Sequence, residues 1–179
     1  MANKFKPKLV IVLTMIMIAS ATVLTYIEQI TTPKIKAHAQ QKKESAILTV
    51  LPGADEYEEV TKGDLTLYKG LDSSGSVVGY ALQSSGQGFQ SVLKIMVGLD
   101  PAKKEVLKVK ILNQAETPGL GARIVEKGFK SQFNGKSFSD SFQAKEDIDA
   151  ISGATISSQA MAEVIEKGIK KLQETDIVN

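Results

Sequence analysis

The chain has 179 residues, 42% of them apolar, and a formal net charge of +2. That length suits one modest domain with an accessory segment rather than two full domains, and the charges, nearly balanced once Lys4, Lys6 and Lys8 are set aside, give no sign of a nucleic-acid partner. With no cysteine and a single histidine, His38, the chain cannot form disulfides, thiolate-held iron–sulfur clusters, Cys/His zinc sites or a cysteine nucleophile, so any redox chemistry must come from a borrowed cofactor.

Leu9 to Ile27 carries no charged residue and matches the roughly 20 apolar residues needed to cross a bilayer, which predicts a transmembrane anchor. A cleaved signal peptide is the rival reading, since lysines lead into the run and Ala19-Ser20-Ala21 resembles a small-residue cleavage site. The run continues past Ala21 and exceeds the ~7–15 residues of a signal core, which favours a retained anchor. Lys4, Lys6 and Lys8 argue for a cytoplasmic N-terminus and a single-pass protein of the cell (inner) membrane, with its domain on the extracytoplasmic side. Lys34, Lys36, Lys42 and Lys43 count for less, because long domains translocate largely regardless of charge.

Thr31-Thr32-Pro33 reads as a helix start, and strong helix formers continue to Val50, predicting a stalk helix closed by Pro52-Gly53. His38 lies in that polar stretch and is assigned no role. The expected organisation is a tail and anchor over residues 1–30, a stalk over 31–53 and a domain over 54–179.

In the domain, alternation and β-branched content predict strands at Leu65–Gly70, Val77–Ser84, Val92–Asp100 and Glu105–Leu112. Asp72-Ser73-Ser74-Gly75 and the turn at Pro101 read as hairpin connections, so successive strands should pair antiparallel. A longer loop is expected over Ser84–Phe89. Glu116-Thr117-Pro118-Gly119-Leu120-Gly121 is a second loop, with Pro118-Gly119 as its turn signal; taken alone, its Gly-x-Gly is a weak sign of a ligand. A short amphipathic helix follows over Ile124–Phe133, its aromatics read as core.

The last segment opens at Asp149-Ala150-Ile151-Ser152-Gly153-Ala154-Thr155 and runs into a helical pattern, with apolar residues at Ile156, Met161, Val164, Ile165, Ile169 and Leu172. A helix start lined with Gly, Ala and hydroxyls leaves approachable N–H groups that suit a phosphate. The same residue types are also ordinary helix caps.

The run Asp-x-x-Ser-Gly-Ala-Thr resembles the flavinylation motif of the FMN-binding domain in the G subunit of the Rnf electron-transport complex. The same domain occurs in the C subunit of the sodium-translocating NADH:quinone reductase. The string ETPGLG resembles the loop that lies against the cofactor in that domain, and Gly86-x-Gly88-Phe89 resembles another of its loops, with Ser91 where a further glycine is expected. The resemblance covers essentially the whole chain and, at this length, fits the G subunit better than the longer C subunit.

That resemblance implies an α+β fold, an N-terminal transmembrane helix followed by one FMN-binding domain whose antiparallel sheet is flanked by helices. It implies FMN carried covalently through a phosphoester on Thr155, with Glu116, Thr117, Gly119, Leu120, Gly121, Ser152, Gly153 and Ala154 as cofactor contacts. Asp149 becomes a recognition residue for the flavin transferase that performs the attachment. The implied role is electron relay, without substrate turnover of its own, beside other membrane and redox subunits of a complex coupling ferredoxin/NAD electron transfer to ion translocation. The alternatives are a stand-alone extracytoplasmic flavin carrier and a membrane-anchored binding module without cofactor.

Overall fold

A computed structural model describes residues 7–62 and 65–175; Lys4 and Lys6, on which the expected sidedness partly rests, lie outside them. The elements in chain order are helix α1 (Pro7–Val50), strands β1 (Glu56–Lys62), β2 (Leu65–Leu71), β3 (Val77–Gln87), β4 (Val92–Asp100) and β5 (Glu105–Asn113), a 3-10 turn (Gly121–Val125), helix α2 (Lys127–Ser131) and helix α3 (Thr155–Gln173). The chain divides into two compact units, one ending at Gln41 and one beginning at Lys42.

The first unit is helical throughout its described residues, and among them α1 is the one helix long and apolar enough to cross a membrane. Its most apolar 18-residue stretch has a mean hydropathy of 2.3, and none of that stretch is buried. Leu13, Met17 and Leu24 are all more than half exposed, as suits a helix whose apolar surface needs a lipid or protein neighbour. Pro33, read from the sequence as opening a separate stalk helix, instead lies inside α1. Strong helix formers follow it, among them Lys34, Lys36 and Ala37, and the helix runs on through a residue that removes one backbone hydrogen bond.

In the second unit the five strands form an antiparallel meander in the order β1-β2-β3-β4-β5. Each sheet face buries a different helix surface. Leu67, Leu82, Leu93, Ile95, Val97 and Leu99 point to one face and meet Met161, Val164, Ile165, Ile169 and Leu172 of α3. Full burial of each such side chain is worth about 1.5–3 kcal/mol, so this layer holds α3, and with it the first turn at Thr155, in place.

The opposite face carries Tyr68, Ala81 and Met96, covered by Ala46, Ile47 and Val50 from the last turns of α1 and by Leu51. The approach there is close. A Cβ at Gly98 would collide with the backbone of Val50, so β4 needs glycine at that point to let the helix end lie on the sheet.

Three elements of the second unit differ from the sequence expectation. β1, EYEEVTK, escapes a reading based on alternation because it is an edge strand with most of its side chains exposed, and its glutamates are of the kind that discourage edge-to-edge pairing. β3 runs on to Gln87, paired with Val92, so the expected loop over Ser84–Phe89 shrinks to the connection Gly88–Ser91. The helix expected over Ile124–Phe133 is a 3-10 turn and a single α turn, separated by Glu126 in an extended conformation. Phe129 and Phe133 are nevertheless core, in edge-to-face contact at 5.7 Å.

Replacing Gly98 by Ala should destabilise the domain by about 1–3 kcal/mol, the usual cost of overpacking. Thermal unfolding of the full chain in detergent would register this as a lowered Tm, whereas an unchanged Tm would mean that the end of α1 can lift without penalty.

Candidate functional site

Three segments far apart in sequence converge at the first turn of α3: the β3–β4 connection, the loop after β5, and Gly153–Ser157. The residue that joins them is Glu116, 4% exposed. Its Oε1 accepts hydrogen bonds from Gln90 N at 3.1 Å, Ser91 N at 3.0 Å and Ser91 Oγ at 2.9 Å. Its Oε2 accepts from Phe89 N at 3.2 Å and from Ser157 Oγ at 2.6 Å. Burial opposes the charged form, but the hydrogen bonds from Ser157, Ser91 and Gln90 outweigh it and hold Glu116 below the usual carboxylate range.

The loop carrying Glu116 turns at once. Leu120 N donates to Thr117 O, with Pro118 at the second position and Gly119, φ +76°, at the third, where a type II turn demands positive φ. Gly121 has a different reason to be glycine. A Cβ there would lie 2.5 Å from Ser157 Oγ and 3.0 Å from Glu116 Oε2.

At the α3 start the residue preceding the helix is Ala154, and no side chain caps it. The first-turn N–H groups therefore have neither an intrahelical acceptor nor a cap. Ser158 secures the approach instead, accepting from Ile151 N at 3.0 Å and donating to Ala154 O at 3.0 Å. Thr155 is the first helical residue, and its hydroxyl makes no hydrogen bond among the described residues. The capping role open to this cluster from spacing alone is thus not taken up by Thr155.

Between these segments lies a cavity of about 310 Å³. Of the residues singled out by sequence, Thr117, Leu120, Gly121, Gly153, Ala154 and Thr155 line it. Glu116 lies behind the wall with its carboxylate fully engaged, Gly119 belongs to the adjoining turn, and Ser152 is exposed beside Gly153. Asp149 is exposed and away from the cavity lining; its backbone is gripped by Gln132, whose Oε1 accepts from Asp149 N at 2.7 Å.

The wall also includes three residues that sequence reading did not assign to it, Phe89, Ile156 and Ser157. Ile156, grouped by spacing with the buried face of α3, is 60% exposed. It stands nine residues, about two and a half turns, before Ile165 and so faces the opposite side. Ser91, where a glycine was expected, spends its hydroxyl inside the site: it donates to Glu116 and accepts from Ala115 N at 2.8 Å. The loop just before the motif has its own half-buried anchor, Asp147, which accepts from Gln143 N at 2.7 Å and Phe142 N at 3.1 Å and pairs with Lys136 at 3.1 Å.

An uncapped helix start, a free hydroxyl on its first residue and an apolar wall of Phe89, Leu120 and Ile156 suit a ligand with a phosphate at one end and a flat ring at the other. FMN has that shape, and the FMN-binding domain family is matched over residues 88–170. The G subunit of the ion-translocating oxidoreductase complex of Methanosarcina acetivorans is 30% identical over 172 residues, 90% of this chain and 92% of its own. The chain belongs to this G-subunit family. A second member, from the Na(+)-translocating ferredoxin:NAD(+) oxidoreductase complex of Acetobacterium woodii, is 27% identical over 93% of this chain and 91% of its own. Among solved structures, the C subunit of the Na(+)-translocating NADH-quinone reductase of Parabacteroides distasonis has a TM-score of 0.59 at 17% identity over 78% of this chain and 94% of its own. NqrC of Shewanella oneidensis has a TM-score of 0.52 at 20% identity, covering 69% and 73% respectively. These two establish that the G-subunit domain shares the fold of the reductase's C subunit.

Acid should loosen this site. The native fold keeps Glu116, and Asp147 likewise despite its partial burial, more acidic than the unfolded chain does. Their contribution to stability is therefore complete above the ordinary carboxylate range of about pH 4 and is lost as pH falls through the lowered native values. A Tm series from pH 7 downward should fall in that range, and Glu116→Gln should show a shallower fall from a lower starting point. An identical slope in both proteins would remove Glu116 as a source.

Proposed function

We propose that this chain is the membrane-anchored flavin subunit of an ion-translocating oxidoreductase complex, relaying electrons through FMN esterified to Thr155. The observation that carries the reading is the free Thr155 hydroxyl on the uncapped first turn of α3, in the wall of the cavity and at the last position of the Asp-x-x-Ser-Gly-Ala-Thr run. FMN, when bound, accepts and releases one or two electrons; the protein supplies position and electrostatics.

Each part of the site has a task in that relay. Thr155 Oγ1 holds the phosphate through an ester whose formation amounts to loss of water, carried out by a flavin transferase that recognises the exposed Asp149. The first-turn N–H groups of α3 stabilise the phosphate's charge. Phe89, Leu120 and Ile156 offer apolar surface to the ring, and Thr117, Gly121, Gly153, Ala154 and Ser157 form the rest of the wall beside Thr155. Gly119 shapes the turn that brings Leu120 there, and Ser152 opens the turn that brings Gly153 there. A covalent tether keeps the carrier from diffusing away, which suits a protein handing electrons between neighbours rather than turning over a substrate.

The relatives' names specify assemblies coupling ferredoxin and NAD(+) to Na(+) or proton translocation, and we assign this chain to an assembly of that class. α1 anchors it in the cell membrane as a single span, with the N-terminus cytoplasmic and the domain on the extracytoplasmic side.

Protein coexpressed with a flavin transferase should stay yellow after denaturation and yield a Thr155 peptide heavier by FMN less water. Thr155→Val should abolish both signals, and covalent flavin persisting in that variant would place the attachment elsewhere.

Sidedness is open to a direct test because the chain lacks cysteine. Ser73→Cys, at the exposed tip of the β2–β3 turn, should react with an impermeant maleimide in intact spheroplasts. Labelling that needs lysis would put the domain in the cytoplasm.

A further inference from the structure

We propose that Glu116 is the positioning residue of this site: its carboxylate touches no part of the cavity, yet it sets the separation between the Phe89 wall and the Thr155 turn, and so the hold on a bound ring. The proposal rests on the flavin reading given above and deepens it. The Glu-Thr-Pro-Gly-Leu-Gly string invites the idea that its glutamate faces the cofactor, but the geometry points the other way. All five donors to the carboxylate are protein groups, and none of its oxygens lines the cavity.

What the carboxylate holds does line the cavity. Through Phe89 N, Gln90 N and Ser91 it fixes the β3–β4 connection that carries the Phe89 side chain. Through Ser157 Oγ it fixes the first turn of α3, two residues beyond Thr155. It binds only the hydroxyl of Ser157, so the backbone N–H groups of that turn are left for a phosphate.

Two glycines complete the arrangement from either side. A Cβ at Gly88 would come within 2.6 Å of Glu116 Oε1, and one at Gly121 within 3.0 Å of Oε2 and 2.5 Å of Ser157 Oγ. Space on both flanks is kept for the carboxylate, and a glutamine in its place cannot satisfy the same set of donors. Its amide nitrogen would face either Phe89 N–H or the Ser91 and Gln90 N–H groups, donor against donor.

A residue acting in this way should leave attachment intact while loosening the ring. The test uses the full chain in detergent as wild type, Glu116→Gln, Ser157→Ala and the double variant, each coexpressed with the flavin transferase. Intact mass reports attachment, and iodide quenching of flavin fluorescence together with the midpoint potential reports how the ring is held. Glu116→Gln should retain the FMN mass, raise the quenching constant several-fold and shift the potential; Ser157→Ala should do the same to a smaller extent, and the double variant should add little to Glu116→Gln, because both remove one linkage.

Gly98→Ala supplies the control for destabilisation alone. It lowers stability from the opposite sheet face and should leave quenching and potential at wild-type values. Deuterium uptake in Thr155→Val protein, which carries no covalent flavin, tests the clasp by itself. Adding Glu116→Gln there should speed exchange by about tenfold at 88–91 and at the Ser158 amide, whose N–H is bonded to Ala154 O, the factor that loss of one charge-assisted hydrogen bond implies.

Wild-type quenching and potential in Glu116→Gln, or loss of the flavin mass from it, would overturn the proposal. Should Glu116→Gln fail to fold, Ser157→Ala decides by the same criteria. Wild type without covalent flavin would instead defeat the flavin reading, leaving the clasp to stand or fall on the exchange result.

Discussion

Burying a carboxylate costs several kcal/mol unless its oxygens are met by donors, and in this domain one buried carboxylate ties together three separate stretches of chain. Glu116 collects N–H and hydroxyl groups from the β3–β4 connection and from α3 while sitting on the loop after β5. The requirement is mutual. Neither of the two loops has regular secondary structure at the point of contact to hold it alone, and the carboxylate cannot stay charged inside without its donors. Gly88 and Gly121 follow from the same constraint, since each leaves the room that the carboxylate occupies.

Around that junction the fold separates rigidity from availability. The long packed face of α3, from Met161 to Leu172, is fixed against the sheet by buried aliphatic contacts. Its first turn is tied to the neighbouring loops through side-chain oxygens, Ser157 to Glu116 and Ser158 to Ile151. The turn is therefore placed without its backbone N–H groups being consumed. A site for a phosphate needs this combination, because preorganised donors lose little on binding while a flexible loop would lose conformational entropy.

The other face of the sheet is covered by the residues that lead into the domain. The last turns of α1 end on Tyr68, Ala81 and Met96, with Gly98 allowing backbone contact with Val50. The last residues of α1, from Ala46 to Val50, are thus part of the domain core.

Much of this was legible in the residues themselves. β2 to β5 follow from alternation, the Thr117–Leu120 turn from Pro-Gly chemistry, and the packed face of α3 from its period, because each signal is confined to a few neighbouring residues. The motif at Asp149–Thr155 marked the cavity region through Thr155, Gly153 and Ala154. β1 stayed hidden because an exposed edge strand has no buried face to print a pattern, and Ile156 was misgrouped because a helix start can expose a residue that a count of apolar positions assigns to the core. The true place of Glu116, the use made of Ser91, and the reason for glycine at positions 98 and 121 belong to the tertiary structure alone. They depend on contacts such as Ser91 with Glu116, 25 residues apart, and Ser157 with Glu116, 41 apart. No local propensity or periodicity reaches across such separations; only the packing of α3 on the sheet brings those groups together.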